Sequence, residues 1–104
     1  MRIGVVGGGA WGTALAQVAA ANGEPVTLWA REPEVVQSVN ASHENPLFLK
    51  GLALSPSIRA TGDLAGMAAC EALLIVSPAQ HLRSIIAGLP TAGTPLILSA
   101  HAGV

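Results

Sequence analysis

The chain has 104 residues, of which 51% are hydrophobic, 11% charged and 3% aromatic, with a formal net charge of −1. This length suits one compact domain with a small aliphatic core, and the low charge excludes a disordered chain, a coiled coil or a solvated charged tail. One lysine and four arginines are scattered along the chain, with no basic patch to hold a nucleic acid through its phosphates. Cys70 is the only cysteine, which excludes an internal disulfide or a thiolate metal cluster and fits a reducing, cytoplasmic setting.

The first residues imitate a secretory signal, with Met1-Arg2 leading an apolar stretch that ends in Ala19-Ala20-Ala21. Gly7, Gly8, Gly9 and Gly12 interrupt that stretch, and each glycine costs a helix about 1 kcal/mol relative to alanine. No apolar run reaches the roughly 20 residues of a membrane helix, so membrane insertion is not expected. Asn40-Ala41-Ser42 matches a glycosylation sequon, which carries no meaning in a protein that is not secreted.

In chain order, Ile3 to Val6 is a short apolar run that predicts a strand buried on both faces, as in a parallel sheet. Ala10 to Asn22 follows with apolar residues at helical spacing (Ala14, Leu15, Val18, Ala21), stopped by Gly23. Pro25 to Trp29 predicts a second strand. Glu34 to Asn40 predicts a short helix behind Pro33, and 45–57 an irregular loop carrying Pro46, Gly51 and Pro56. Alternation over Ser57 to Thr61 gives a third strand, and Asp63 suits the N-cap of a short helix ending at Ala69. Ala72 to Val76, the most apolar strand, precedes a helix over Gln80 to Leu89 and a fifth strand over Pro95 to Ser99. Strands alternating with helices imply an α/β fold with a doubly wound, parallel Rossmann-type sheet.

The chemistry concentrates in Gly7-Gly8-Gly9-Ala10-Trp11-Gly12, where Gly7, Gly9 and Gly12 satisfy G-x-G-x-x-G. The motif follows a predicted strand and opens a predicted helix, the context that a dinucleotide site requires. Gly7 allows the tight turn, Gly9 leaves room for a pyrophosphate, and Gly12 lets the helix approach the sheet. The free amides at the helix N-terminus then face the phosphate charge. A glycine turn that binds nothing is the plainer reading of the same residues.

The tip of the second strand, about 20 residues past the motif, is where an acidic residue would read the ribose hydroxyls of NAD. Here it reads Trp29-Ala30-Arg31, with no acid at the tip. Arg31 is either a solvated loop residue or a guanidinium placed to fork onto a 2′-phosphate and stack on adenine. The second reading makes NADP, as NADPH, the expected cofactor, with NAD as the alternative.

With these motifs the chain resembles the bacterial NAD(P)-dependent sn-glycerol-3-phosphate dehydrogenases. The resemblance rests on residues 7–16, with Trp11 before the third glycine, on Val26 to Arg31, on His43-Glu-Asn-Pro46 with Phe48-Leu49-Lys50-Gly51, and on Leu74 to Gln80. It implies a cofactor domain followed by an all-helical substrate domain. It also implies interconversion of glycerone phosphate and sn-glycerol 3-phosphate for phospholipid synthesis. Cofactor contacts carry over to Ala10, Trp11, Arg31 and Phe48, and the turn at Ser77 and Pro78 falls beside the expected nicotinamide ribose. The family's Ala-Lys-Gly segment reads Ala100-His101-Ala102-Gly103 here, so either His101 or Ala102 stands in place of a lysine that contacts cofactor and substrate.

On this reading residues 1–104 are the N-terminal part of a dinucleotide-binding domain, a truncated sheet of about five strands. The helical domain and its catalytic lysine are absent, and no catalytic residue is assigned. The substrate, glycerone phosphate, would be handled only with the missing domain, and the chain alone would be inactive. An open sheet edge after the fifth strand would invite self-association. A non-catalytic dinucleotide-binding or sensing module, or an inactive orphan fragment, remain as other readings.

The remaining candidates have plainer roles. His43, His81 and His101 lack metal-ligand spacing, and Ser77 has no acid and histidine placed to activate it. Cys70 reads as a small apolar filler and Trp29 as core, whereas Trp11 suits both packing and cofactor contact.

Overall fold

The computed structural model describes residues 2–76, Ala87 and the backbone of 96–98. The helix expected over 80–89 lies outside the described residues apart from Ala87, and the tail after Leu98 lies wholly outside them.

The five strands are β1 (Ile3–Val6), β2 (Val26–Trp29), β3 (Ile58–Thr61), β4 (Ala72–Ile75) and β5 (Leu96–Leu98). They form one parallel sheet in the order β3-β2-β1-β4-β5. The chain thus runs outward from β1 to β3 on one side, then returns to place β4 on the other side of β1. This is the doubly wound arrangement expected from the alternating pattern, with its switch point between β1 and β4.

Helices α1 (Ala10–Ala21) and α2 (Pro33–Ser42) supply the crossovers on one half, and a 3-10 helix (Leu64–Ala69) precedes β4. Period-two alternation in the strands divides the apolar residues between two cores. Val5, Val26, Leu28, Ile58 and Ala60 pack with Ala16 and Ala20 of α1 and with Val35 and Val39 of α2. Val6, Trp29, Leu73 and Ile75 face the other way, onto Met67 and Cys70. Trp29 is therefore core, as read from the sequence, with its indole Nε1 buried and unpartnered among the described residues.

Most elements are a residue shorter at an end than the sequence reading, and two helical segments differ further. Helix α2 begins at Pro33, whose missing N–H costs nothing in the first turn, and runs two residues past Asn40. It stops where His43 adopts a left-handed conformation (φ 56°) and donates its N–H to the Val39 carbonyl oxygen. The segment after Asp63 is a 3-10 rather than an α-helix, although Asp63 caps it as expected, accepting the Ala65 N–H at 3.0 Å.

Edge strand β3 is partly closed from outside. Asn40 Oδ1 accepts the Ala60 N–H at 2.8 Å, and its Nδ2 donates to the Ala60 carbonyl oxygen at 2.9 Å. A side-chain amide thus takes the place of a neighbouring strand's peptide. The sequon asparagine is committed to the sheet. Replacing it with alanine (Asn40→Ala) returns both Ala60 groups to water and is expected to lower unfolding free energy by about 1–2 kcal/mol, measured by urea titration.

Cys70 is 4% exposed, and burial pushes its thiol above the ordinary value, opposed by a hydrogen bond with the Thr27 side chain and by the charge of Arg2. A raised folded-state value contributes stability at neutral pH that is lost as pH climbs through it, because the unfolded chain releases the proton first. The urea midpoint is therefore expected to fall more between pH 7 and strongly alkaline pH in the wild type than in Cys70→Ala.

Candidate functional site

The carboxyl ends of β1, β2 and β4 meet where the strand order reverses. Gly7 continues β1, donating its N–H to the Trp29 carbonyl oxygen at 2.9 Å, while Val76 donates to the Val6 carbonyl oxygen at 2.8 Å. The backbone then turns sharply, with Gly7 at φ 138°. A Cβ at Gly7 would fall on the Val76 carbonyl oxygen, and one at Gly12 would fall on the Gly7 carbonyl oxygen. Strand, turn and helix are therefore in backbone contact, a distance no side chain tolerates.

Gly9 is different. A Cβ there would meet nothing within 4 Å among the described residues, and its backbone (φ −72°, ψ −174°) is open to any residue. Packing among the described residues does not call for glycine at this position, and the space beside it is open. Gly9 is the N-cap of α1, and the Thr13 N–H donates to its carbonyl oxygen at 2.9 Å. The first amides of the helix have no intrahelical acceptors, and α1 carries no acidic residue in its first turn to meet its positive end. By contrast α2 has Glu34 in its first turn. An anion would complete α1.

Around this opening, Ala10 and Trp11 are exposed on the first turn, with Trp11 60% accessible. Arg31 is exposed one residue beyond Ala30, whose side chain backs the glycine loop: a Cβ at Gly8 would lie 2.5 Å from Ala30 Cβ. Phe48 is exposed on the loop after α2, with Leu47 and Leu52 exposed beside it in sequence. Ser77 and Pro78 lie outside the described residues. Gly7, Gly9, Ala10, Trp11 and Gly12 thus form one continuous feature at the β1–α1 junction. Arg31 sits at the neighbouring strand tip.

The sequence reading missed the residue that joins Phe48 to this feature. Asn45 is completely buried, and so is Thr13. Asn45 Nδ2 donates to the Gly8 carbonyl oxygen at 2.8 Å and to Thr13 Oγ1 at 2.7 Å, and Asn45 Oδ1 accepts the Phe48 N–H at 3.2 Å. The loop is also fastened by Leu54 N–H to the His43 carbonyl oxygen (2.8 Å) and by Ser55 N–H to Gln17 Oε1 (2.8 Å). An asparagine before a proline signals a turn; nothing local signals burial against a glycine loop 37 residues away.

Residues 2–102 match the family described as NAD-dependent glycerol-3-phosphate dehydrogenase, N-terminus. The chain belongs to this family. Among its relatives, the glycerol-3-phosphate dehydrogenase [NAD(P)+] of Parvibaculum lavamentivorans is 60% identical over 102 residues, which cover 95% of this chain and 31% of that protein. The Caulobacter vibrioides protein of the same name is 54% identical, over 93% of this chain and 30% of its own length. The crystal structure of glycerol-3-phosphate dehydrogenase from Coxiella burnetii superposes with a TM-score of 0.83 at 29% identity, over 95% of this chain and 32% of that one. The chain thus spans about a third of the length of the relatives it matches.

The family is one of nicotinamide-dependent dehydrogenases, and its Rossmann-type fold is the one described above. No helix among the described residues is long and apolar enough to cross a membrane. No cluster of histidine, cysteine and acidic residues among them could hold a metal ion.

The glycines separate cleanly by experiment. Gly9→Val is expected to keep the fold, with an unchanged circular dichroism spectrum, and to lose dinucleotide binding by at least tenfold, the methyls occupying the space beside the helix N-terminus. Gly12→Val is expected to prevent folding altogether, because its side chain has no room against the Gly7 backbone.

Proposed function

We propose that the chain is the NAD(P)H-binding portion of an sn-glycerol-3-phosphate dehydrogenase, the N-terminal part of its dinucleotide-binding domain. The observation that carries this is Gly9: an unobstructed position, at a helix end short of negative charge, inside a loop whose other glycines are packed solid. A bound pyrophosphate fits both the space and the unmet amides. When bound, the nicotinamide supplies a hydride for the reduction of glycerone phosphate to sn-glycerol 3-phosphate, the reaction implied by membership of the family.

This chain's residues would take distinct parts in holding the cofactor. Gly9, Ala10 and Trp11 offer backbone amides to the phosphates, and Gly7 and Gly12 keep strand and helix close enough to aim them. Arg31 receives a 2′-phosphate, and Phe48 and Trp11 offer apolar surface beside it. In the proposed assignment Ser77 and Pro78 lie toward the nicotinamide ribose, and none of these residues performs the chemistry. The substrate and its proton donor are assigned to segments that the relatives have beyond the matched third. A cytoplasmic setting and a role in supplying glycerol phosphate for phospholipids follow from the same reading.

NADPH is the proposed preference over NADH, on the strength of an arginine and no acid at the β2 tip. The acids that follow belong to the start of α2: Glu32 is its N-cap residue, without a side-chain cap bond, and Glu34 sits in its first turn. A charge-assisted contact to phosphate contributes about 1.5–3 kcal/mol, so Arg31→Ala should weaken NADPH binding by about tenfold or more and leave NADH nearly unchanged. Dissociation constants for both nucleotides on both proteins check this, and an unchanged NADPH/NADH ratio would remove the assignment.

A further inference from the structure

Asn45 stands outside the family motif that defines the glycine loop, yet it is the most heavily committed polar side chain in the described structure. Its amide is fully buried and uses both functional ends: Nδ2 on Gly8 O and Thr13 Oγ1, Oδ1 on the Phe48 N–H. Thr13 Oγ1 adds a longer bond to the same Gly8 carbonyl oxygen at 3.4 Å. Burying an amide is costly unless such bonds are made, so the arrangement is specific rather than incidental.

The consequence follows from peptide geometry. The chain contains no cis peptide bonds among its described residues, and in a planar trans peptide the C=O and the next N–H point in opposite directions. Holding the Gly8 carbonyl oxygen against Asn45 and Thr13 therefore turns the Gly9 N–H away from the buried side. Glycines flank this peptide on both sides, so no Cβ resists its rotation. Turned over, the same peptide would present a carbonyl oxygen where an anion should bind.

We infer that Asn45 is a positioning residue for the cofactor's pyrophosphate: it locks the Gly8–Gly9 peptide with its N–H toward the ligand and couples that orientation to the loop carrying Phe48. The inference rests on the dinucleotide reading above and extends it to a residue that touches no cofactor. Thr13 is the second half of the lock.

The test uses the whole 104-residue chain, with NADPH as the probe and the Gly9 backbone amide resonance in 15N-labelled protein as a direct report of the peptide. Asn45→Ala is expected to weaken NADPH binding by about tenfold or more and to shift or broaden the Gly9 amide. Val39→Ala, a buried core change in α2 that removes none of the Asn45 bonds, serves as a destabilised control and should alter neither. Because Asn45→Ala could prevent folding, Thr13→Val and Thr13→Ser form a second pair. Serine keeps the hydroxyl and should bind like the wild type, whereas valine should lose affinity and move the Gly9 amide.

Wild-type affinity in the folded variants, or an unmoved Gly9 amide, overturns the inference while leaving dinucleotide binding intact. A loss of affinity in Val39→Ala equal to that in Asn45→Ala also overturns it, by reducing Asn45 to a stability effect. A wild-type chain that binds neither NADPH nor NADH overturns the dinucleotide reading itself, and the positioning role falls with it.

Discussion

Helix α1 lies so close to β1 that Gly12 rests on the Gly7 carbonyl, and the rest of the site depends on this backbone contact. Because strand and helix touch at Gly7 and Gly12, the turn between them can be only a few residues long. Its amides must then emerge at the carboxyl edge of the sheet. A helix held farther out by even one methyl would point its N-terminus elsewhere. The close approach also explains the alanine-rich inner face of α1, where Ala16 and Ala20 are buried and larger residues would push the helix off the sheet.

Packing and binding impose opposite demands on neighbouring positions. Gly7, Gly8 and Gly12 are occluded by Val76, Ala30 and Gly7 respectively, so the fold by itself accounts for them. Gly9 has open space among the described residues, so its packing there does not call for glycine. A motif that looks uniform in sequence therefore divides into glycines packed against backbone or side chain and one with open space beside it. The division is visible only once the surroundings of each Cα are known.

The loop after α2 applies the same economy of polar groups. His43 turns the chain in a left-handed conformation, Asn45 is drawn into the interior, and Leu54 returns to the core at 4% exposure. Between these anchors Leu47, Phe48 and Leu52 remain exposed, held on a short arc whose bases are bonded to α1 and to the end of α2. Buried hydrogen bonds fix the arc's position, while its apolar side chains stay accessible.

The strand and helix pattern was legible in the sequence because periodicity is a local property. Short apolar runs bounded by glycine or proline pointed to buried parallel strands, and the glycine spacing with its flanking strand and helix marked the candidate dinucleotide loop. Arg31 was locatable for the same reason, since its place at the β2 tip follows from topology. The helix boundary at Ser42 and the 3-10 form after Asp63 were not legible, because helix ends are decided by competing contacts rather than by propensity. Asn45 was the larger omission. Its role consists of bonds to Gly8 and Thr13, residues far away along the chain, and a buried amide looks in sequence like any polar loop residue. What the sequence by itself determined was the order of elements and the location of the glycine loop, both written in spacings of a few residues. Which glycine has open space beside it, and which way the Gly8 carbonyl points, was decided only when β1, α1 and the distant loop were packed together.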